Sequence, residues 1–115
     1  MTTLMTRDEL AVAVEAGSVQ LVDALPATYY GQQHLPGAVN LVEPDVDELA
    51  HTMLPDKSAT IVTYCSNAAC GNSQAVANRL TALGYTDVRK YREGIQDWVE
   101  AGFAVESTHT GGTRA

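Results

Sequence analysis

One stretch constrains this chain more than any other. Residues 60–84 read as a strand, a cysteine-led loop and a helix in immediate succession. Thr60-Ile61-Val62-Thr63-Tyr64 is short, uncharged and β-branched or aromatic, the pattern of a strand buried on both faces of a parallel sheet. Val76, Leu80 and Leu83 then recur at helical spacing, predicting a helix over 74–83 that Gly84 stops. Between them lies a loop of small residues, Cys65-Ser66-Asn67-Ala68-Ala69-Cys70-Gly71-Asn72-Ser73. A strand end, a compact loop and a helix N-terminus together favour an anion, because N–H groups there lack intrahelical partners. A thiolate opening such a loop is itself the stabilised anion, with a pKa expected below the free value of ~8.5. Cys65 is therefore the expected nucleophile.

The rest of the chain supplies strands and helices in alternation. Thr6 and Glu9 have capping-box spacing, Leu10, Ala13 and Val14 form one apolar helical face, and Gly17 ends it. Gln20-Leu21-Val22-Asp23 reads as a strand with Asp23 at its C-terminal end, where ligands gather in open α/β sheets. Tyr29-Tyr30-Gly31 is a helical turn, Leu35-Pro36-Gly37 a tight turn and Ala38-Val39-Asn40-Leu41 a strand. An acidic helix is expected from Asp45 to Met53 and a strand over Asp87-Val88-Arg89-Lys90-Tyr91. A last helix opens at Gly94, with Ile95, Trp98 and Val99 on one face, and closes at Gly102. Phe103-Ala104-Val105 is open to two readings, an edge strand or a packing segment. This order predicts an α/β domain with a parallel sheet. One domain over 1–106 and a frayed tail over 107–115 are expected.

Charge and cysteine usage narrow the function. The net charge of −7 argues against nucleic acid and against acidic membrane surfaces, since both need clustered Lys and Arg. Two cysteines in one loop are too few for a disulfide scaffold and suit a reducing compartment, with the cytoplasm as default. The first nine residues lack a basic stretch followed by an apolar run, so no secretory signal is expected. No cofactor is expected. Nor is a metal, because no ligand pair has the usual two-residue gap.

Each other candidate carries two readings. Cys70 is either a small residue seating the first helical turn or a resolving thiol for Cys65. Asp23 either braces a loop or supports the site from behind. His34 either bonds loop backbone or acts as a base, the former being the plainer expectation. His51 and His109 receive no role, and Trp98 is read as core.

Taken together, these blocks resemble a known family. Leu21-Val22-Asp23, Gln33-His34-Leu35-Pro36-Gly37-Ala38-Val39-Asn40-Leu41, Val62-Thr63-Tyr64-Cys65 with its loop, and Tyr91-Arg92-Glu93-Gly94-Ile95-Gln96-Asp97-Trp98 look like a single-domain rhodanese. The resemblance implies a central five-stranded parallel sheet with helices on both faces. It implies a sulfurtransferase whose cysteine, here Cys65, takes sulfane sulfur as a persulfide and passes it to a thiophilic acceptor. It assigns a cradle of loop N–H groups to Ser66, Asn67, Ala68, Ala69, Cys70 and Gly71. The chain departs from the family pattern at Leu25, where an Arg is common, and in a loop without basic residues. Cys70 stands where Arg or Thr is frequent, and Glu93 replaces the first glycine of a Gly-Gly pair. These departures make thiosulfate an expected poor donor. The expected partners are a small sulfur donor (polysulfide, persulfide or, as the poorer one, thiosulfate), a thiol or cyanide acceptor and, for the redox alternative, a thiol reductant protein.

Three rival functions stand beside this one. Related phosphatases and arsenate reductases use a longer loop with an Arg for a tetrahedral anion; the loop here is the six-residue, sulfur-sized form without one. Non-catalytic modules of this kind usually lack the cysteine. A thiol redox protein or persulfide reductase using Cys65 and Cys70 is the closer alternative.

Overall fold

The computed structural model describes residues 3–107. Five parallel strands, β1 (Thr3–Leu4), β2 (Gln20–Asp23), β3 (Val39–Asn40), β4 (Thr60–Tyr64) and β5 (Asp87–Tyr91), form one sheet in the order β1-β5-β4-β2-β3. The helices are α1 (Arg7–Ala16), α2 (Ala27–Gln32), α3 (Val46–Met53), α4 (Asn72–Ala82) and α5 (Gly94–Glu100), with a 3-10 turn at Glu43–Asp45 before α3.

Side-chain alternation along the inner strands explains the layers. Val22, Ile61 and Val88 face α3 and α4, where they meet Val46, Val76 and Leu80. Leu21, Val62, Tyr64 and Tyr91 face α1 and α5, where they meet Leu10, Ile95 and Trp98. A strand slipped by one residue would turn each set toward the wrong layer, and each buried Val or Ile contributes about 1.5–3 kcal/mol. The helices thus cover both faces, as the family resemblance implies.

Local signals are realised where they are strong. Thr6 Oγ1 accepts from Glu9 N–H at 3.2 Å while Glu9 Oε1 accepts from Thr6 N–H at 2.9 Å, the reciprocal capping box. Other bounds shift. The acidic helix splits into the 3-10 turn and α3. The helix expected to begin at Gln74 begins at Asn72, which brings Ser73 into its first turn.

The fifth strand is Thr3–Leu4, which pairs with Arg89 and Lys90. Phe103–Val105 is the packing segment: Trp98 Nε1 donates to the Ala104 carbonyl at 2.8 Å, and the Phe103 ring lies 4.8 Å from the Trp98 ring. Beyond it, Glu106 pairs antiparallel with His34. Of the frayed tail expected over 107–115, only Ser107 is described; its hydroxyl donates to the Gly31 carbonyl at 2.8 Å. His109 lies outside the described residues.

The strand order creates a switch point. From β2 the chain winds outward to β3, then returns to β4 and winds the other way to β5. The loops after β2 and β4 therefore diverge, leaving a crevice at the C-terminal edge of the sheet. Register brings Asp23 opposite Tyr64, and Tyr64 opposite Tyr91, at that edge.

Candidate active site

Cys65 follows the last residue of β4 and is 1% exposed. Its sulfur is joined to that of Cys70 in a disulfide, with the two Cα atoms 6.4 Å apart. That separation falls inside the range of about 4.4–6.8 Å that a disulfide spans. The short loop curls back far enough to bring its ends together. Cys70 itself is half-buried, while Ala68 and Ala69 at the loop crest are exposed.

Asn67 shapes this loop. Its Oδ1 accepts from Ala69 N–H at 3.0 Å, its carbonyl accepts from Cys70 N–H at 3.1 Å, and its Nδ2 donates to Gln96 Oε1 at 3.2 Å. The Asx turn so formed replaces the missing regular structure with local bonds. It also uses the N–H groups of Ala69 and Cys70, two of the six expected to form the cradle. In this disulfide state those two amides organise the loop and leave Ser66, Asn67, Ala68 and Gly71 as the remaining cradle candidates.

Helix α5 holds the loop from beneath. Ile95 N–H donates to the Cys65 carbonyl at 2.8 Å and Gln96 N–H to the Ser66 carbonyl at 2.9 Å. Two first-turn donors that would otherwise be orphaned are thereby satisfied by the loop. The approach is close enough that a Cβ on Gly94 would lie 2.5 Å from the Cys65 carbonyl oxygen, and Gly94 has φ +75°. Glu93 sits at φ −67°, ordinary helical space, so the first position of the usual Gly-Gly pair does not need glycine here.

Ser73 is the site residue that sequence reasoning missed. It is buried in the first turn of α4, with its Oγ 3.5 Å from Cys65 Sγ. A hydroxyl at that distance is placed to donate to a Cys65 thiolate, and the Thr63 hydroxyl fixes the turn by donating to the Ser73 carbonyl at 3.0 Å. The only local signal was a small hydroxyl residue just after a cysteine-led loop. With the helix predicted to start two residues later, Ser73 read as loop.

Asp23 and His34 fall behind the site. Asp23 is fully buried, accepting from Leu25 N–H at 2.8 Å and from the Tyr64 hydroxyl at 2.9 Å. Burial raises its pKa above the ordinary carboxylate range, while the Leu25 and Tyr64 bonds oppose that rise. The Tyr64 oxygen in turn accepts from Leu35 N–H at 2.9 Å, and burial, with Asp23 beside it, drives the phenol pKa up. Asp23 therefore ties the ends of β2 and β4 to the Leu35 turn. His34 is 3% exposed, stacks on Tyr30 with ring centroids 4.0 Å apart, and donates from Nδ1 to the Tyr30 carbonyl at 2.8 Å. Its backbone exchanges bonds of 2.9 and 2.8 Å with Glu106. This is the backbone-bonding arrangement.

Two openings flank the loop. A cleft of about 330 Å³ is lined by Leu25, Tyr29, Ser66, Gln96, Val99 and Glu100 among others. A larger one of about 670 Å³, beyond the ends of β2 and β3, includes Asn72, Glu43 and Asp45. Among the described residues neither is lined by Lys or Arg, and both carry carboxylates.

The fold and site together define a class: a parallel α/β protein whose central strand ends in a cysteine enclosed by a short loop and a helix start. The chain belongs to the rhodanese-like domain family, whose model matches residues 6–101. It is 32% identical over 102 residues to a Mycobacterium tuberculosis HTH-type transcriptional regulator, covering 89% of this chain and 44% of that protein. The chain thus spans less than half of that relative's length. It is 37% identical over 76 residues to the Escherichia coli thiosulfate sulfurtransferase PspE, covering 66% of this chain and 70% of PspE. Among solved structures, a rhodanese-like domain from Anabaena superposes with a TM-score of 0.78 at 24% identity, covering 100% of this chain and 86% of that one, a likeness of fold.

Proposed function

We propose that this protein is a sulfurtransferase that carries sulfane sulfur as a persulfide on Cys65. The observation that carries the reading is the placement of Cys65, buried at the end of β4 with Ser73 Oγ 3.5 Å from its sulfur. Relatives named thiosulfate sulfurtransferase support it at the level of the family. The Cys65 thiolate attacks the sulfane sulfur of a donor and expels the remainder. An acceptor thiol or cyanide then attacks the terminal sulfur and regenerates the thiolate, a two-step exchange. Retention of the cysteine speaks against a purely non-catalytic module.

Polysulfide or a low-molecular-weight persulfide is the donor class. Thiosulfate and inorganic polysulfide are both anions that a chain of net charge −7 repels at long range, so the discrimination lies at the loop, where a sulfonate needs a cationic partner. At short range the openings beside the loop offer carboxylates, and the loop itself holds no guanidinium to pair with the sulfonate. The nearby Arg79 is engaged with Glu43 and Asp47.

The cytoplasm, where thiols stay reduced, is the compartment that fits. Among the described residues no helix is long and apolar enough to cross a membrane. The test is Cys65→Ser: thiocyanate formation from cyanide should vanish while the circular dichroism spectrum stays unchanged. Near wild-type turnover by this variant would refute the assignment.

A further inference from the structure

We infer that Cys70 resolves the Cys65 persulfide, so that the same site also reduces sulfane sulfur to hydrosulfide. This rests on the persulfide reading above and adds a second outcome for the bound sulfur. The disulfide joins Cys70 Sγ to Cys65 Sγ, the very atom that would bear the transferred sulfur. The loop thus brings Cys70 onto the inner sulfur of the persulfide. Attack at the outer sulfur would only move the persulfide to Cys70.

The step balances without an outside oxidant. The Cys70 thiolate attacks the inner sulfur, the Cys65 S–S bond to the terminal sulfur breaks, and that sulfur leaves with the bonding pair as hydrosulfide. Cys70 loses its thiol proton to solvent, the two cysteines are oxidised to the disulfide, and the sulfane sulfur is reduced. No other group is consumed.

Exposure then fixes how the site is reset. Cys65 is 1% exposed in the disulfide, whereas Cys70 is half-buried and flanked by the exposed Ala69 and Gly71. An incoming low-molecular-weight thiol reaches Cys70 Sγ first. It forms a mixed disulfide there and releases Cys65 as thiolate, with the Ser73 hydroxyl beside it. A second thiol clears Cys70. The small, exposed neighbours Ala69 and Gly71 leave room for such a thiol at Cys70, whereas Cys65 is closed to direct attack.

The experiment is a single loading. Fully reduced wild-type protein receives one equivalent of inorganic polysulfide, is desalted and is held without thiol, while intact mass and trapped hydrosulfide are followed. The expected result is decay of the form heavier by one sulfur atom to one lighter than reduced protein by two hydrogens, with one hydrosulfide released per chain. Residues 58–79 form one tryptic peptide containing both cysteines, and both should resist alkylation in the product. Cys70→Ser and Cys70→Ala should hold the added sulfur and release none until glutathione is supplied. A wild-type persulfide that persists, or hydrosulfide release by the Cys70 variants at the wild-type rate, overturns the inference and leaves the transferase reading standing. Failure of wild type and both variants to take up sulfur, with no hydrosulfide from any of them, overturns the reading beneath it.

Discussion

Ile95 N–H donates to the carbonyl of Cys65 at 2.8 Å, although thirty positions separate the two in sequence. The bond puts the start of α5 directly under the residue that opens the loop, and the next amide does the same for Ser66. Loop geometry at Cys65 is therefore held by a helix that contributes no reactive side chain. Gly94 makes the contact sterically permissible.

Gly94→Ala should consequently damage both stability and site. An added Cβ meets backbone at 2.5 Å, and the left-handed φ of +75° is itself unfavourable with a side chain. The conformational cost is ~1–2 kcal/mol, and the forced backbone shift adds about 1–3 kcal/mol. Urea unfolding should report a lowered midpoint, and Cys65 should load with sulfur more slowly in the folded fraction. An unchanged midpoint would contradict the contact. Glu93→Gly, by contrast, should leave loading unaffected, because Glu93 lies in ordinary helical space.

Ser73→Ala removes the hydroxyl beside the Cys65 sulfur while retaining the shape of the turn. A hydrogen bond to a charged group contributes about 1.5–3 kcal/mol. At a sulfur acceptor the lower end applies, so alkylation of Cys65 by iodoacetamide at neutral pH should slow about tenfold. The measurement belongs in a Cys70→Ser background, where one thiol reacts. Equal rates with and without the Ser73 hydroxyl would remove Ser73 from the site.

Tyr64→Phe leaves Asp23 Oδ2 and the Leu35 amide without their shared buried partner, a loss of about 1–3 kcal/mol. The effect should depend on pH with a definite sign. Burial raises the folded pKa of Asp23, so its contribution to stability is full below its ordinary value and is lost as pH rises through the folded one. The Tyr64 bond opposes that rise by favouring the carboxylate. Without it the folded pKa climbs further and the loss on ionisation grows. Denaturation midpoints should show a larger deficit for the variant at neutral pH than near pH ~4, where unfolded Asp is half protonated. A deficit larger in acid would reverse the argument.

Ala68→Arg and Ala69→Arg test donor choice. Both positions are exposed at the loop crest, so a guanidinium can be added without burial. A charge-assisted contact to the sulfonate of thiosulfate, ~1.5–3 kcal/mol, predicts a gain of roughly ten- to a hundredfold in kcat/KM for thiosulfate. The gain for polysulfide should be smaller. Steady-state kinetics in which wild type already prefers thiosulfate would overturn the donor assignment.

What the sequence determined by itself is what neighbouring residues decide among themselves. The Thr6–Glu9 capping box, the uncharged β-branched strand ending at Cys65 and the helical spacing of Val76 and Leu80 are all legible, because their physics acts within a turn or two. The loop spacing of the two cysteines was legible for the same reason. Tertiary structure decided the rest. Thr3–Leu4 is too short to announce itself and becomes a strand only through Arg89 and Lys90. Phe103–Val105 looked equally able to be a strand, but its neighbours are the Trp98 ring and, just beyond, His34. Tyr64 read as strand filler until folding laid its hydroxyl between Asp23 and Leu35. Gly94 and Glu93 are adjacent in sequence, yet only packing against the Cys65 loop makes glycine necessary at one and dispensable at the other. For Thr3–Leu4, Tyr64 and Gly94 the deciding partner lies tens of residues away, and a contact of that kind exists only after the chain has closed on itself.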